Sequence, residues 1–218
     1  MYGVSLDGGL ADEAWVDPRC AKPLPTGVRL EEAHLVEPLA VALHGIHRAG
    51  LVAGMRVLVI GAGPIGLCTI AGARHLGASV DLVAHRERRV EAGTRLGARP
   101  TAGTDYDLVL DAAGTQGSLD EAVERVRPGG TVSVLGTYWA PVTIGLIVQM
   151  KEVTLLSGFT YGHHHGVDEF DEAARVLGAT PDLHFALVTH EFSLDDAAEA
   201  FRVAGDRESD AIKVVVHP

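Results

Sequence analysis

The stretch "RVLVIGAGPIGLCTI", residues 56 to 70, most constrains what this chain can fold into. An apolar run leads into Gly61, Gly63 and Gly66, which have the G-x-G-x-x-G spacing, and Pro64 stands where a helix would begin. A buried strand followed by a glycine turn and a helix is typical of a dinucleotide site, because free helix N–H groups face the pyrophosphate. A plain structural turn is the alternative. We predict dinucleotide contacts from Gly61, Gly63, Pro64, Ile65 and Gly66.

Apolar runs and helical segments alternate along most of the chain. The other runs rich in Val, Leu and Ile lie at residues 79 to 84, 107 to 112, 130 to 136, 153 to 159 and 211 to 217. Helical patterns between them stop at Gly77, at Gly97 and at Pro128-Gly129, since Gly and Pro end helices. This repetition predicts an α/β fold, a doubly wound Rossmann sheet of six mainly parallel strands with the glycine turn at its switch point.

Composition excludes several classes of partner. The 218 residues carry a formal net charge of -11, which disfavours nucleic acid as a ligand because binding to phosphates needs clustered Lys and Arg. No stretch is long and apolar enough to predict a membrane span, and the N-terminus does not resemble a signal peptide. Cys20 and Cys68 are far apart and predict neither a disulfide framework nor a zinc ribbon. We predict a cytoplasmic protein.

The end of the second apolar run indicates which dinucleotide binds. An acidic residue usually stands there in NAD sites, where it accepts hydrogen bonds from the ribose. This chain reads "LVAHRERR", with Ala84, His85, Arg86, Arg88 and Arg89 in that region. Arginine binds phosphate in a bidentate manner, so the sequence favours NADP, with NAD possible. The alternative is a solvated basic helix start balanced by nearby Glu residues.

Longer segments resemble a known family. The runs "DGGLADEAWVDP", "VEPLAVALHGIHRAG" and "GAGPIGL", followed in order by "VRPGGTVSVLG", "LLSGFTYG" and "AIKVVVHP", resemble the medium-chain zinc-type alcohol and polyol dehydrogenases. The resemblance implies a nicotinamide-dependent oxidoreductase acting on a small alcohol or carbonyl compound. It also implies three segments: a remnant of a GroES-like catalytic domain at 1 to 35, a Rossmann domain at 36 to 185, and a C-terminal helix and strand at 186 to 218 that return toward the catalytic lobe. Both outer lobes are expected to be small and incomplete.

The resemblance assigns roles to particular residues. Glu37 occupies the position from which the polyol branch reaches the zinc or its water. Gly136, Gly158 and Phe159 match the nicotinamide side, and Lys213 matches a basic residue that reaches the pyrophosphate. In the "DAAG" turn, Ala113 is expected on the adenosine side, where Asp111 is predicted to be a polar group rather than a general base. The segment 153 to 159 resembles the strand through which the family pairs subunits, which implies a homodimer.

The metal site departs from the family pattern. The chain contains no Gly-His-Glu motif, and only Glu37 can be nominated among the three ligands that a catalytic zinc needs, so no metal site is predicted. His44 and His47 share a helix face and are assigned to packing or capping, and residues 163 to 165 are predicted to form a solvated loop. Two hypotheses stay open: a dehydrogenase whose catalytic part lies in a short remnant or a partner chain, and a non-catalytic NADP-binding module or decayed dehydrogenase.

Overall fold

A computed structural model describes residue 3, residues 5 to 100 and residues 103 to 218. Its central element is a five-stranded parallel sheet in the order β2-β1-β3-β4-β5. The strands are β1 Arg56–Ile60, β2 Ser79–Val83, β3 Tyr106–Asp111, β4 Val126–Val134 and β5 Thr154–Ser157. After β1 the chain moves to one side for β2 and to the other for β3, so the turn after β1 lies at the switch point. The predicted doubly wound α/β fold is confirmed.

Helices cover both faces of this sheet. They are α1 Val36–Arg48, α2 Pro64–His75, α3 Glu87–Arg95, α4 Gln116–Arg125, α5 Leu146–Met150, α6 Glu169–Ala179, α7 Leu183–Leu187 and α8 Ala197–Gly205. The core is split in two by the sheet, because alternate side chains of a strand point to opposite faces. Val57 and Val59 belong to the apolar cluster with α1, α2, α6 and α7. Leu58 and Ile60 belong to the cluster with α4.

The strand count differs from the sequence prediction. Six strands were expected in one sheet, but the run at 211 to 217 forms β9 Lys213–His217, which pairs in parallel with β8 Val188–Ser193 in a separate two-stranded sheet. The main sheet is extended beyond β2 only by a single bridge between Asp81 and Arg99. The prediction of a sixth strand in this sheet was therefore wrong, because β8 lies close enough to take β9 as its partner.

Two local expectations also need correction. The helical pattern expected to run to Pro128-Gly129 ends at Arg125, and β4 begins at once with Val126 opposite Tyr106. The predicted solvated loop at 163 to 165 contains β6 His163–His164, which pairs antiparallel with β7 Val167–Asp168. His165 and Gly166 form the tight connection, both with positive φ.

The outer segments contain little regular structure. Among the described residues before α1, the helices are two short 3-10 turns, Pro18–Cys20 and Leu30–Leu35. Two further 3-10 turns, Leu194–Asp196 and Arg207–Ser209, flank α8. The division at residues 35 and 185 stays a prediction. No helix in the described ranges has the length and apolarity to cross a membrane.

Candidate dinucleotide-binding site

The glycine turn connects β1 to α2 by close backbone packing. Gly61 has φ of +96°, in the region that favours glycine, and its N–H donates to the Val83 carbonyl over 2.9 Å. A Cβ added at Gly66 would overlap the Gly61 carbonyl group. In contrast, a Cβ at Gly63, the residue before the first turn of α2, would meet nothing within 4 Å. Gly66 is therefore required by the fold, whereas Gly63 leaves open space in front of the helix N-terminus.

A cavity of about 430 Å³ lies beside this turn, at the carboxyl ends of β1, β2 and β3. Six of the predicted cofactor-contacting residues line it: Gly61, Ala84, His85, Arg86, Arg89 and Ala113. Three further lining residues, Ile60, Ala62 and Val83, lie at the strand ends and in the glycine turn, and the remaining four are Thr115, Gly117, Ser118 and Glu121. These four lie on the turn into α4 and on α4 itself, and no sequence motif marked them.

The arginines of the basic cluster separate into different environments. Arg89 and Arg86 both line the cavity, while Arg88 lines a different cavity together with Phe185. The Nε atom of Arg89 is buried and has no hydrogen-bond partner within the described part of the chain. Such a group is costly when nothing pairs with it.

Asp111 organises the far wall of the cavity. Its fully buried carboxylate accepts hydrogen bonds from the Ala113 and Gly114 N–H groups at 2.9 and 3.2 Å. It also accepts from the hydroxyls of Ser118 at 3.0 Å and Tyr138 at 3.2 Å. Burial, with the neighbouring Asp111 charge, raises the pKa of Tyr138. These bonds use the carboxylate to fix the turn, which agrees with the prediction of a polar group rather than a general base.

A second, more open groove of about 570 Å³ contains the three residues assigned to the nicotinamide side, Gly136, Gly158 and Phe159. A Cβ at Gly136 would overlap Gly114, and one at Gly158 would come within 2.6 Å of the Gly45 Cα atom. Both glycines are thus needed where backbones approach closely. Phe159 is 84% exposed, so its side chain does not close the groove.

Glu37 and Lys213 line neither of these two described cavities. Glu37 lies in the first turn of α1, where partial burial raises its pKa and the charge of Lys213 offsets part of that rise. Burial, with the charges of Lys213, His184 and His217, lowers the pKa of the nearby His34 to about 4. Both ring nitrogens of His34 are buried without a hydrogen-bond partner in the described structure.

A histidine and carboxylate cluster, which we call the Glu169 cluster, joins α1 to α6. It consists of Glu169, His44, His47, His164 and Glu172. The buried Glu169 carboxylate is 2.8 Å from His44 Nδ1 and 3.0 Å from His47 Nδ1, and it accepts the Gly162 N–H at 2.7 Å. The ring of His164 stacks on that of His47 at 4.2 Å, and His47 Nε2 is 3.4 Å from Glu172.

This cluster refines the sequence interpretation of the histidines. The sequence analysis assigned His44 and His47 to packing or capping. In the structure both rings contact the Glu169 carboxylate, a partner that the sequence analysis did not identify. Burial raises the pKa of Glu169, but the hydrogen bonds from His47, Gly162 and His44 outweigh that effect, so its pKa lies below the usual 4.5. Within residue 3 and residues 5 to 100 and 103 to 218, no group of three or more His, Cys, Asp or Glu side chains is arranged to hold a metal ion.

The architecture is that of a doubly wound α/β protein with a glycine turn at its switch point. No protein-family model matches the chain. Its relatives include an alcohol dehydrogenase of Cupriavidus necator, 27% identical over 100% of this chain and 65% of the relative. The L-arabinitol 4-dehydrogenase of Aureobasidium melanogenum is 32% identical over 85% of this chain and 55% of that protein.

A solved structure is also similar. It is a putative zinc-binding dehydrogenase of Sinorhizobium meliloti 1021 bound to NADP, with a TM-score of 0.86 and 27% identity over 100% of this chain and 68% of that one. The chain belongs to the zinc-type medium-chain alcohol and polyol dehydrogenase family. It spans 65% and 55% of the two curated relatives named above.

Proposed function

We propose that this chain binds NADP(H) for an oxidoreductase that transfers a hydride between the nicotinamide and a small alcohol or carbonyl compound. The observation that carries the proposal is the cavity beside the glycine turn, where Ala84 replaces the acidic residue typical of NAD sites and Arg86 and Arg89 follow it in the lining. A 2'-phosphate in this cavity would be close to two guanidinium groups, which bind phosphate through charge-assisted hydrogen bonds. The NADP-bound relative supports this choice of cofactor.

The proposed cofactor would lie along the carboxyl edge of the sheet. Its pyrophosphate would face the open space at Gly63 and the start of α2, where unpaired N–H groups attract anions. The adenosine would lie in the cavity, and the nicotinamide in the second groove. Residues proposed to contact the cofactor are Gly61, Gly63, Pro64, Ile65, Gly66, Ala84, His85, Arg86, Arg89, Ala113, Gly136, Gly158, Phe159 and Lys213.

Two arginine variants test the phosphate contact. We expect Arg89→Ala to weaken NADPH binding at least tenfold and to leave NADH binding nearly unchanged, because only NADPH carries the 2'-phosphate. Arg95→Ala is the matched control, since Arg95 is exposed in the last turn of the same helix and lines a different cavity. Fluorescence titration of each variant measures both affinities. Equal losses in the two variants would mean that the cluster acts only through net charge.

The zinc of the family does not fit the residues described here. Glu37 would be a single ligand, and a catalytic zinc needs three protein ligands together with one open position. When bound, NADP(H) donates or accepts the hydride, and the described residues would bind and orient it. The alcohol proton needs a base or a metal within reach of the oxygen, and Glu37 alone cannot hold a zinc ion there.

This mismatch favours a second candidate function, a non-catalytic NADP-binding module. We expect the chain to bind NADPH, to hold no stoichiometric zinc, and to leave NADPH absorbance unchanged with a panel of aldehydes and ketones. Metal analysis and absorbance assays measure these outcomes. One tightly held zinc per chain with steady NADPH consumption would support the dehydrogenase reaction instead.

We also propose a homodimer formed through β5. This strand is at an edge of the sheet and pairs only with β4 in the described structure. Exposed apolar side chains accompany it: Ile144 lines a groove together with Leu155 and Leu156 of this strand, and Met150 lies four residues before the strand begins. Uncovered apolar edges promote association. Light scattering at micromolar concentration should give twice the chain mass. A monomer mass at that concentration would contradict the dimer.

A further inference from the structure

The C-terminal segment supplies a carboxylate to the basic cluster at the start of α3. After α8, the 3-10 turn Arg207–Ser209 leads to Asp210, which has φ of 54° and ψ of 25°. Arg86 Nη1 donates to the Arg207 carbonyl over 2.7 Å and lies 3.7 Å from Asp210 Oδ1. Arg88 Nε is 3.4 Å from Asp210 Oδ2. One carboxylate therefore faces two of the three arginines.

Asp210 offsets the positive charge of Arg86 and Arg88 but does not fix the orientation of either side chain. Neither arginine makes a hydrogen bond to it, and the Asp210 Oδ1 atom is buried without a hydrogen-bond partner among the described residues. What orients Arg86 is the Arg207 carbonyl, which belongs to the backbone. Removing the negative charge at Asp210 should therefore leave Arg86 in place and make its surroundings more positive.

Arg86 lines the cavity that contains Arg89, so its guanidinium can serve either Asp210 or a ligand anion there. Asp210 does not line this cavity but reaches Arg86 from outside it, whereas the acidic residue of the lining, Glu121, pairs with Arg125 at 2.9 Å. Asp210 is thus the carboxylate that competes directly for Arg86. Its side chain is about 40% exposed, so the competition is partly screened by solvent.

We infer that Asp210 is a specificity-determining residue that competes with the 2'-phosphate of NADP for Arg86 and so limits the preference for NADP over NAD. This inference rests on the proposed NADP(H) binding. A phosphate arriving at Arg86 meets a nearby carboxylate of the same sign, which opposes its binding. NAD has only a ribose hydroxyl at that position and is little affected.

The substitution Asp210→Asn tests this competition. Asparagine tolerates the left-handed conformation, so the turn keeps its backbone. We expect NADP to bind about 3- to 10-fold more tightly at low salt, with less gain at 0.5 M salt because exposed charges are screened. NAD affinity should stay unchanged. Asp195→Asn is the matched control, since it removes the same charge from an exposed position in the 3-10 turn Leu194–Asp196.

Calorimetry with NADP and NAD on the wild type and both variants decides the matter. Unchanged NADP affinity in Asp210→Asn would overturn the inference, and weaker affinity would show that Asp210 holds Arg86 in place. An equal gain in Asp195→Asn would also overturn it, because net charge would then be the cause. If the wild type prefers NADP, these failures leave the proposed function standing. If the wild type binds both cofactors equally, or neither, the proposed NADP function and the inference fail together.

Discussion

The two ends of the proposed cofactor groove are built differently. At the adenosine end, a glycine turn, the Asp111 turn and two arginines enclose a cavity, and one buried arginine nitrogen there lacks a partner. At the nicotinamide end, the groove is wider and more open, and Phe159 projects into solvent. Among the described residues, those of the Glu169 cluster do not line this groove, and the Glu169 carboxylate is already paired with His44, His47 and the Gly162 N–H.

This contrast shows where recognition and chemistry are encoded. Binding the adenosine half needs backbone N–H groups and charges that this chain supplies itself. Chemistry at the nicotinamide half needs a metal or a base, and the described residues form no group arranged to hold a metal ion. We therefore expect changes beside the open space at Gly63 and at the arginines to alter cofactor affinity, and changes at tightly packed or paired positions, such as Gly66 and Glu169, to alter stability.

The largest effect should come from the two glycines at the adenosine end. Gly66→Ala would force a methyl group into the Gly61 carbonyl, so we expect a loss of about 3 kcal/mol or more in the free energy of unfolding. Gly63→Ala has free space for its methyl group and should keep the melting temperature, but weaken NADPH binding at least tenfold by occupying the pyrophosphate position.

Thermal melts and fluorescence titrations distinguish the two outcomes. Gly205→Ala, at the end of α8, is the control, because a Cβ there meets nothing within 4 Å. It should change neither stability nor affinity by much. A stable Gly66→Ala variant, or a Gly63→Ala variant with full affinity, would contradict the roles given to these residues.

The next effect concerns the Glu169 cluster between α1 and α6. Glu169→Gln removes the charge that faces His44 and His47, and we expect a loss of about 2 to 3 kcal/mol in the free energy of unfolding at pH 7. NADPH affinity should change little, because the adenosine end governs it. Glu172→Gln is the control: its only contact with the cluster is at 3.4 Å, so a smaller loss is expected.

Acid should reproduce part of the Glu169 effect. Its folded pKa lies below the usual 4.5, so its contribution is present above pH 4.5 and is lost as the pH falls through the lower folded value. Denaturant unfolding at several pH values measures this. Equal slopes of stability against pH below 4.5 in the wild type and in Glu169→Gln would contradict it.

A smaller effect should arise at His34. Its folded pKa of about 4 is below the usual 6.5, so the unfolded chain takes up the proton first. The contribution is complete above pH 6.5 and is lost between pH 6.5 and 4, by about 1 to 2 kcal/mol after allowing for solvent screening. His34→Gln should remove this part of the pH dependence in denaturant unfolding. His75→Gln, at an exposed position, should retain it.

Local sequence patterns were sufficient to predict the strand, turn and helix at residues 56 to 70. The strand, glycine turn and helix around residues 56 to 70 follow one another directly and each has a local signature, an apolar run, a glycine spacing and a proline at the helix start, so the sequence predicts them. The early end of α4 could not be predicted in this way, because Val126 leaves the helix to pair with Tyr106, twenty positions earlier in the chain. The choice of β8 as the partner of β9 likewise depends on contacts that no local pattern contains.

The same limit applies to the candidate site. Arg86 and Arg89 could be nominated because they follow directly on β2, where the ribose of a dinucleotide binds. Glu169 looks from the sequence like an ordinary acidic residue in the first turn of a helix. Its partners His44 and His47 lie 125 and 122 positions away, and Asp210 is similarly remote from Arg86. Only the folded chain shows these pairings.

We propose above all that this chain binds NADP(H) through the adenosine end of the cofactor groove. Isothermal calorimetry with NADP and NAD on the wild-type chain, in the same low-salt buffer, tests it most directly. We expect NADP to bind at least tenfold more tightly than NAD, because charge-assisted hydrogen bonds to the 2'-phosphate are worth about 1.5 to 3 kcal/mol each. Equal affinities, or no binding of either dinucleotide, would contradict the account.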